Sequence, residues 1–371
     1  MSDCKTVRLG DVATYINGYA FKPSDWGTEG LPIIRIQNLT GNYYETNFYN
    51  GKIPEKYFVK NGDVLISWSA SLGVYEWKKN DALLNQHIFK VVFDKLEVDK
   101  KYFMFTVSNL LNAMSKQTHG STMRHITKPD FDNMPFPLPP IEKQKQIARK
   151  LDKCNELILK NNRILEKYDL LIKSRFIEMF GDPVTNPKGW NEVKISELCK
   201  SPDDIKCGPF GTQLCKDEYQ KSGIPVFGIP QINSSFNVSP TDFLTNTKAE
   251  KLDDYSLVCG DIAMSRKGNV GKCAIYSGQD KGIIHSDVVR LRVDNSVCNP
   301  VYLMNQLHIS PKIETQISNV SSGAIMAGIN VTKLKNIIVY NPPILMQNDF
   351  ANFVHQIDKS KFEYKTKEIV A

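Results

Sequence analysis

The chain has 371 residues, 41% of them hydrophobic and 23% charged, a composition of ordinary globular proteins that leaves room for two or three domains. No apolar run approaches the ~18 residues needed to cross a bilayer, and the opening residues MSDCKTVRLGD lack the apolar core of a signal peptide, so a cytoplasmic protein with no membrane partner is expected. The net charge of +7 permits an anionic partner such as nucleic acid without demanding one.

Read from the N-terminus, Val7–Val12 opens a series of short segments rich in Val, Ile and Phe and bounded by Gly, Asn, Asp and Pro, the pattern of strands with tight turns. Val64–Trp68 and Ile88–Phe93 are the clearest predicted strands here, and Val98–Ser115 reads as a helix. The segment Gly120–Ile141, GSTMRHITKPDFDNMPFPLPPI, ends in Pro139-Pro140-Ile141. From Ile141 to Phe180 there is then no Pro or Gly. Ile147, Leu151, Cys154, Ile158, Asn161, Leu165, Tyr168 and Ile172 alternate at spacings of 4 and 3, a heptad seam. Asn161 sits on that seam, where one polar residue can set register. A helix of this length is a rod of about 60 Å, and Gly181-Asp-Pro terminates it.

Val193–Leu198 begins a second series, with a predicted strand at Val288–Val293 and a helix at Asn299–Ile309. It runs to Gly323–Ile344, GAIMAGINVTKLKNIIVYNPPI, which aligns without a gap on Gly120–Ile141. After Pro342-Pro343 a second helix carries Phe350, Val354 and Ile357 at the places of Ile147, Leu151 and Cys154. Further matches join Gly30–Ile34 to Gly223–Phe227, Gly62–Ser67 to Gly260–Ser265, and Asn85–Asp94 to His285–Asp294. Across these matches the offset grows from 186 to 203 residues. Copy two therefore carries loop insertions on a shared framework.

The expected fold class is α+β: two pseudo-symmetric sheet-rich domains joined by two long antiparallel helices forming a coiled coil. The segments are 1–138 for the first domain, 139–182 for the first helical spacer, 183–341 for the second domain and 342–371 for the second spacer. The alternative is that the first helix packs on its own domain. Only 28 residues follow Pro343, so the second helix cannot pair with the full length of the first.

Catalytic constellations are not readable. Asn341-Pro-Pro-Ile344 lacks the aromatic of an adenine-methyltransferase tetrapeptide, and copy one has Leu138 in place of the amide. A phosphate loop ending at Gly271-Lys272 would need Gly at Arg266 and Ser or Thr at Cys273. The eight cysteines form no CxxC pair and the six histidines no HExxH, so no metal site is expected. Ser67, Ser69 and Ser71 lack a GxSxG elbow.

What remains is polar and basic material in matched loops. Ser67–Gly73 aligns with Ser265–Gly271, and Gly120–His125 with Gly323–Gly328. Arg266, Lys267 and Lys272 suit phosphates or guanine edges, and Asn269 suits adenine; solvated hairpin tips are the bland reading. The candidate DNA-contacting residues are Lys22, Arg35, Asn38, Ser67, Ser69, Ser71, Ser121, Thr122, Arg124, His125 and Lys128 in copy one. In copy two they are Lys206, Thr212, Gln213, Asn233, Arg266, Lys267, Asn269, Lys272, Ser321 and Ser322.

Four runs then carry a family resemblance: PLPPIEKQKQIARKLD at 137–152, SRFIEMFGDP at 174–183, PKGW at 187–190 and GPFGTQL at 208–214. With the duplicated Gly-Asp-Val/Ile framework, the whole chain resembles the specificity subunit of type I restriction-modification systems. The resemblance implies two target-recognition domains, each reading one half of a bipartite sequence on double-stranded DNA, and helical spacers that set the gap. It implies no catalytic site and no cofactor in this chain. S-adenosylmethionine, ATP and Mg are expected in the partners, which are two adenine-N6 methyltransferase (M) subunits and restriction (R) subunits. A rod near 60 Å caps the span at on the order of eighteen base pairs at ~3.4 Å each. The other readings are a coiled-coil adaptor that binds protein without reading bases, and a single-chain methyltransferase, which the missing cofactor loop argues against.

Overall fold

The computed structural model describes residues 4–41, 46–117, 126–321 and 328–369. The chain divides into two compact units, Met1–Asn161 and Asn162–Ala371.

In the first unit an antiparallel sheet holds Thr14–Asn17, Ile88–Val92, Val64–Ser67 and Gly73–Glu76 in that order. A second sheet holds Phe48–Tyr49, Leu31–Ile34, Ala82–Leu84 and Phe58–Val59, with Ile33 facing Leu83 in a parallel pair. Lys5–Arg8 pairs antiparallel with Pro135–Leu138. The second unit repeats this order. Ile205–Cys207, Val288–Leu291, Ile262–Ser265 and Cys273–Ile275 form one sheet. Phe243–Leu244, Ile224–Phe227, Gly282–Ile284 and Ser256–Leu257 form the other, with Val226 facing Ile283 in parallel. Glu192–Lys194 pairs with Ile338–Tyr340.

The central strands are apolar without alternation because both of their faces are covered. In Val64–Ser67 every residue is buried; Val64 and Ile66 face one core cluster and Leu65 the other. Ile262 and Met264 face one cluster in the second unit and Ala263 another. Period-two geometry sends neighbouring side chains to opposite faces, so two cores need a continuous apolar run.

The predicted helices form close to their expected bounds. Val98–Ser115 is Lys100–Gln117, and Asn299–Ile309 is Pro300–Ile309, with the Asn299 side chain accepting the Val301 N–H at 2.9 Å. The spacer helix runs Ile141–Phe180, and the C-terminal helix Ile344–Ile369.

The spacer helix changes partner along its length. Its first turns lie on the first unit through buried Gln144 and Ala148 and half-buried Ile147, with Lys101 paired to Asp152. Its last turns put Ile172, Phe176 and Phe180 into the core of the second unit beside Phe350, Val354 and Ile357. There Phe350 lies 5.5 Å from Phe176 and 5.6 Å from Phe180, while Lys361 reaches Asp169 at 2.8 Å. Partners rise in number along one helix as they fall along the other, so the two helices run antiparallel within the second unit. Residues 153–160 are exposed.

The heptad seam is therefore covered unevenly. Leu151, Cys154 and Ile158 are exposed, Asn161, Leu165 and Tyr168 half-buried, and Ile172 buried. A straight helix drifts ~20° per heptad against a 3.5 repeat. The buried stripe is accordingly Gln144–Ala148 at one end and Ile172–Phe176–Phe180 at the other, both spaced by four. Packing of the spacer on its own domain thus describes its first turns only.

The end of the spacer helix shows what two of the marked runs do. Gly181 leaves the helix at φ +83° and its N–H donates to the Ile177 carbonyl at 2.8 Å. Trp190 Nε1 donates to the Phe180 carbonyl at 2.7 Å, and Lys188 Nζ to that of Met179 at 2.9 Å. Gly-Asp-Pro and Pro-Lys-Gly-Trp together satisfy the free carbonyls of the last turn. A Cβ on Gly181 would sit 2.8 Å from Pro187 Cγ, and the left-handed region costs an ordinary residue roughly 1–2 kcal/mol. Gly181→Ala is expected to destabilise the second unit by about that amount, seen as a lower urea midpoint at unchanged slope.

Candidate nucleic-acid interface

Each antiparallel sheet delivers its central strand to a buried serine, Ser67 or Ser265. The next residue ties three segments together, and it differs between copies. In the first unit Trp68 donates its Nε1–H to Asn17 Oδ1 at 3.2 Å and its backbone N–H to the His87 carbonyl at 3.3 Å, and its own carbonyl accepts Ile126 N–H at 3.1 Å. In the second unit Arg266 donates from Nη1 to Cys207 Sγ at 3.3 Å and from its backbone N–H to the Asp287 carbonyl at 2.8 Å; its carbonyl accepts Ile329 N–H at 3.1 Å. Asn17 and Cys207 are the last residues of matched strands. Arg266 adds a return bond, Nε to the Ile329 carbonyl at 3.0 Å. Trp68 instead stacks on Phe89, with centroids 5.5 Å apart. Burial pushes the Cys207 thiol up, so it meets the guanidinium uncharged.

Glycine is required beside this latch. A Cβ on Gly18 would lie 1.9 Å from the Asn85 carbonyl oxygen, and one on Gly208 2.2 Å from that of His285. Backbone meets backbone at both places, which accounts for Gly208 in the Gly-Pro-Phe-Gly-Thr-Gln-Leu run.

Charges are arranged around the second-unit latch. Lys267 Nζ is 2.7 Å from Asp287 Oδ1, and the Asp287 N–H donates to His285 Nδ1 at 3.1 Å. That bond places the neutral ring's proton on Nε2. Lys272 donates to the carbonyl of exposed Asn233 at 3.3 Å, and Asn269 is exposed on the same turn. Lys206 reaches Asp254 at 3.1 Å and lies over the Tyr255 ring, whose hydroxyl accepts from Gln213 at 2.9 Å. Thr212 is exposed beside Phe210. The structure thus brings Arg266, Lys267, Asn269 and Lys272 onto one turn, and Lys206 and Gln213 around Tyr255.

In the first unit Lys22 and Ser71 are exposed. Arg35 lies 4.9 Å over the Trp26 ring. Lys128 is exposed, pairs with Asp132, and sits 5.3 Å over the ring of Tyr15. Asn38, Ser67 and Ser69 are buried. Asn38 Oδ1 accepts the Arg35 N–H at 2.9 Å, and Ser67 Oγ donates to the Ser71 carbonyl, so both hold their own loops. Ser121, Thr122, Arg124, His125 and Ser322 lie outside the described residues, as does the side chain of Ser321, which ends the helix Pro311–Ser321. Sequence reasoning passed over Trp68, Asn17, Cys207 and Asp287. The alignment already set Trp68 opposite Arg266 and His87 opposite Asp287, which was the available signal.

A rigid frame with exposed ammonium and amide groups can meet phosphates and base edges. The buried Cys273 thiol is pushed up to about 12 by desolvation, and no group of three or more His, Cys, Asp or Glu among the described residues could hold a metal ion. No described helix is long and apolar enough to cross a membrane.

Comparison with known proteins agrees with this repeat. Residues 1–169 and 187–371 each match the family described as the type I restriction modification DNA specificity domain. The type I restriction enzyme EcoBI specificity subunit of Escherichia coli is 24% identical, over 95% of this chain and 78% of its own. The MjaVIII specificity subunit of Methanocaldococcus jannaschii is 23% identical, over 99% and 88%. The crystal structure of the type I restriction-modification S subunit from M. genitalium superposes with a TM-score of 0.58 at 14% identity, covering 99% of this chain and 92% of that one, a likeness of fold.

Proposed function

Because the chain belongs to the type I restriction modification DNA specificity family, we propose that its two units read the two halves of a bipartite target on double-stranded DNA. Its role is recognition rather than catalysis, that of a specificity subunit. Specificity subunits of these systems assemble with methyltransferase and restriction subunits and bind DNA. For this chain the proposed assembly has two M subunits, with S-adenosylmethionine bound there and ATP and Mg used by the R subunits, in the cytoplasm.

One observation carries the reading: the same frame occurs twice with different side chains at matched positions of its latched loops. Trp68, Ser69 and His87 stand where Arg266, Lys267 and Asp287 stand in the second unit. A repeated scaffold with exchanged latch residues suits two half-sites of different sequence. Exposed Lys and Arg would supply salt-dependent phosphate affinity, and the latched loops would present groups to base edges.

The test is a map of adenine methylation in the source genome with and without this gene. Loss of one bipartite motif is the expected outcome; an unchanged map would sink the reading. The adaptor reading differs in a second measurement, since it predicts no sequence-dependent DNA shift when the methyltransferase partner is added.

A further inference from the structure

We propose that Gln144 and Gln347 are positioning residues. Each sets the angle at which a long helix leaves its recognition domain, and so sets the number of base pairs tolerated between the half-sites. The inference rests on the reading of the chain as a two-part DNA reader.

Both glutamines occupy the same place in a matched run, Pro-Pro-Ile-Glu-Lys-Gln and Pro-Pro-Ile-Leu-Met-Gln. Both are buried, 1% and 0% exposed. Gln144 Oε1 accepts the Asp99 N–H at 2.9 Å, and its Nε2 donates to the Pro139 carbonyl at 2.8 Å. Gln347 Oε1 accepts the Asn299 N–H at 2.8 Å, and its Nε2 donates to the Pro342 carbonyl at 2.7 Å. Asp99 and Asn299 stand at the N-terminal ends of the domain helices, where their carboxylate and amide oxygens accept the N–H of Tyr102 and Val301 at 2.9 Å. One amide therefore joins the start of the outgoing helix to the start of the domain's own helix, in both copies. A second tie lies alongside: Tyr102 Oη donates to the Pro137 carbonyl at 2.8 Å and Tyr302 Oη to that of Tyr340 at 3.1 Å.

Apolar contacts at Ile147 and Ala148, and at Phe350, Ala351, Val354 and Ile357, seat each helix on its domain, but the area they bury is by itself non-directional. Hydrogen bonds weaken steeply off axis, so the direction of each helix is set by the amide. Leverage makes this matter. A tilt of roughly 3° at the root of the ~60 Å spacer helix, or roughly 5° at the root of the 26-residue C-terminal helix of about 39 Å, moves the far end by about one base-pair rise of ~3.4 Å.

The experiment uses the full chain assembled with its methyltransferase partner. Its substrates are duplexes with the native half-sites, taken from the genomic motif, and spacers of native length or one pair shorter or longer. For Gln144→Leu and Gln347→Leu the ratio of methylation at the native spacer to that at the altered spacers is expected to fall about tenfold, with discrimination against altered half-sites kept. A purely structural glutamine would lower thermal stability and leave that ratio unchanged, and an unchanged ratio in folded variants overturns the proposal. Should either leucine variant fail to fold, Gln144→Glu and Gln347→Glu, which keep the side chain's shape and its accepting oxygen but lose the bond donated to the Pro139 or Pro342 carbonyl, decide the same ratio. Failure of the underlying reading looks different: the unaltered complex would then not discriminate half-sites at all.

Discussion

Phe176→Ala is expected to destabilise the second unit by about 3–5 kcal/mol, the usual range for a buried phenylalanine cut to alanine. Phe176 is 1% exposed. Its ring stacks on Tyr302 at 5.6 Å, tilts against Phe180 at 5.0 Å and meets Phe350 edge-on at 5.5 Å. Those partners come from the domain helix Pro300–Ile309, the spacer helix and the C-terminal helix. One substitution thus empties a volume that three helices share, and aromatic pairs add to the loss from area alone. Against a typical total of 5–15 kcal/mol, the loss is large. Chemical denaturation should show an early transition for the second unit, while the first unit, whose core contains none of these rings, keeps its own midpoint. Phe176→Leu, which retains most of the volume, should recover much of the difference. A shift below about 1 kcal/mol for the alanine variant would mean that this cluster is not the seat of the spacer helix.

Arg266→Ala is expected to weaken sequence-specific binding at the second half-site about 10- to 100-fold and to leave recognition of the first half-site intact. The guanidinium is committed inward, to the Ile329 carbonyl and Cys207 Sγ. The bond from this charged donor to the Ile329 carbonyl contributes roughly 1.5–3 kcal/mol, sulfur being a weak acceptor, and each 1.4 kcal/mol is about tenfold in affinity. The loss arises from an unlatched loop, so non-specific affinity and its salt dependence should stay as they were. Titrating binding against salt on specific and unrelated duplexes separates the cases. A slope reduced by about one would assign Arg266 a phosphate contact instead, the role its position in a basic loop suggests from sequence.

The two residues differ in how readily the sequence exposes them. Phe176 belongs to Ser-Arg-Phe-Ile-Glu-Met-Phe, a run visible beside the helix terminator, yet it lies one turn past the last heptad position, Ile172. The heptad count ended at Ile172, while packing on the second unit runs on to Phe180. Arg266 was visible as a basic residue in a Gly-bearing loop, and its inward turn was not, because its partner lies 63 residues away.

Local chemistry in the sequence alone determined the duplication, the strand segments and the bounds of the spacer helix. Pro-Pro starts that helix, an interior free of Gly and Pro propagates it, and Gly181 ends it, all through neighbours a few residues apart. Tertiary structure alone decided which stripe of the helix is covered, that Ser67 and Asn38 turn inside, and that Gln144 and Gln347 lock helix to domain. Those outcomes depend on donors, acceptors and apolar surfaces that only folding brings within reach, and a side chain that can face water or a distant carbonyl equally well carries no mark of which it will meet.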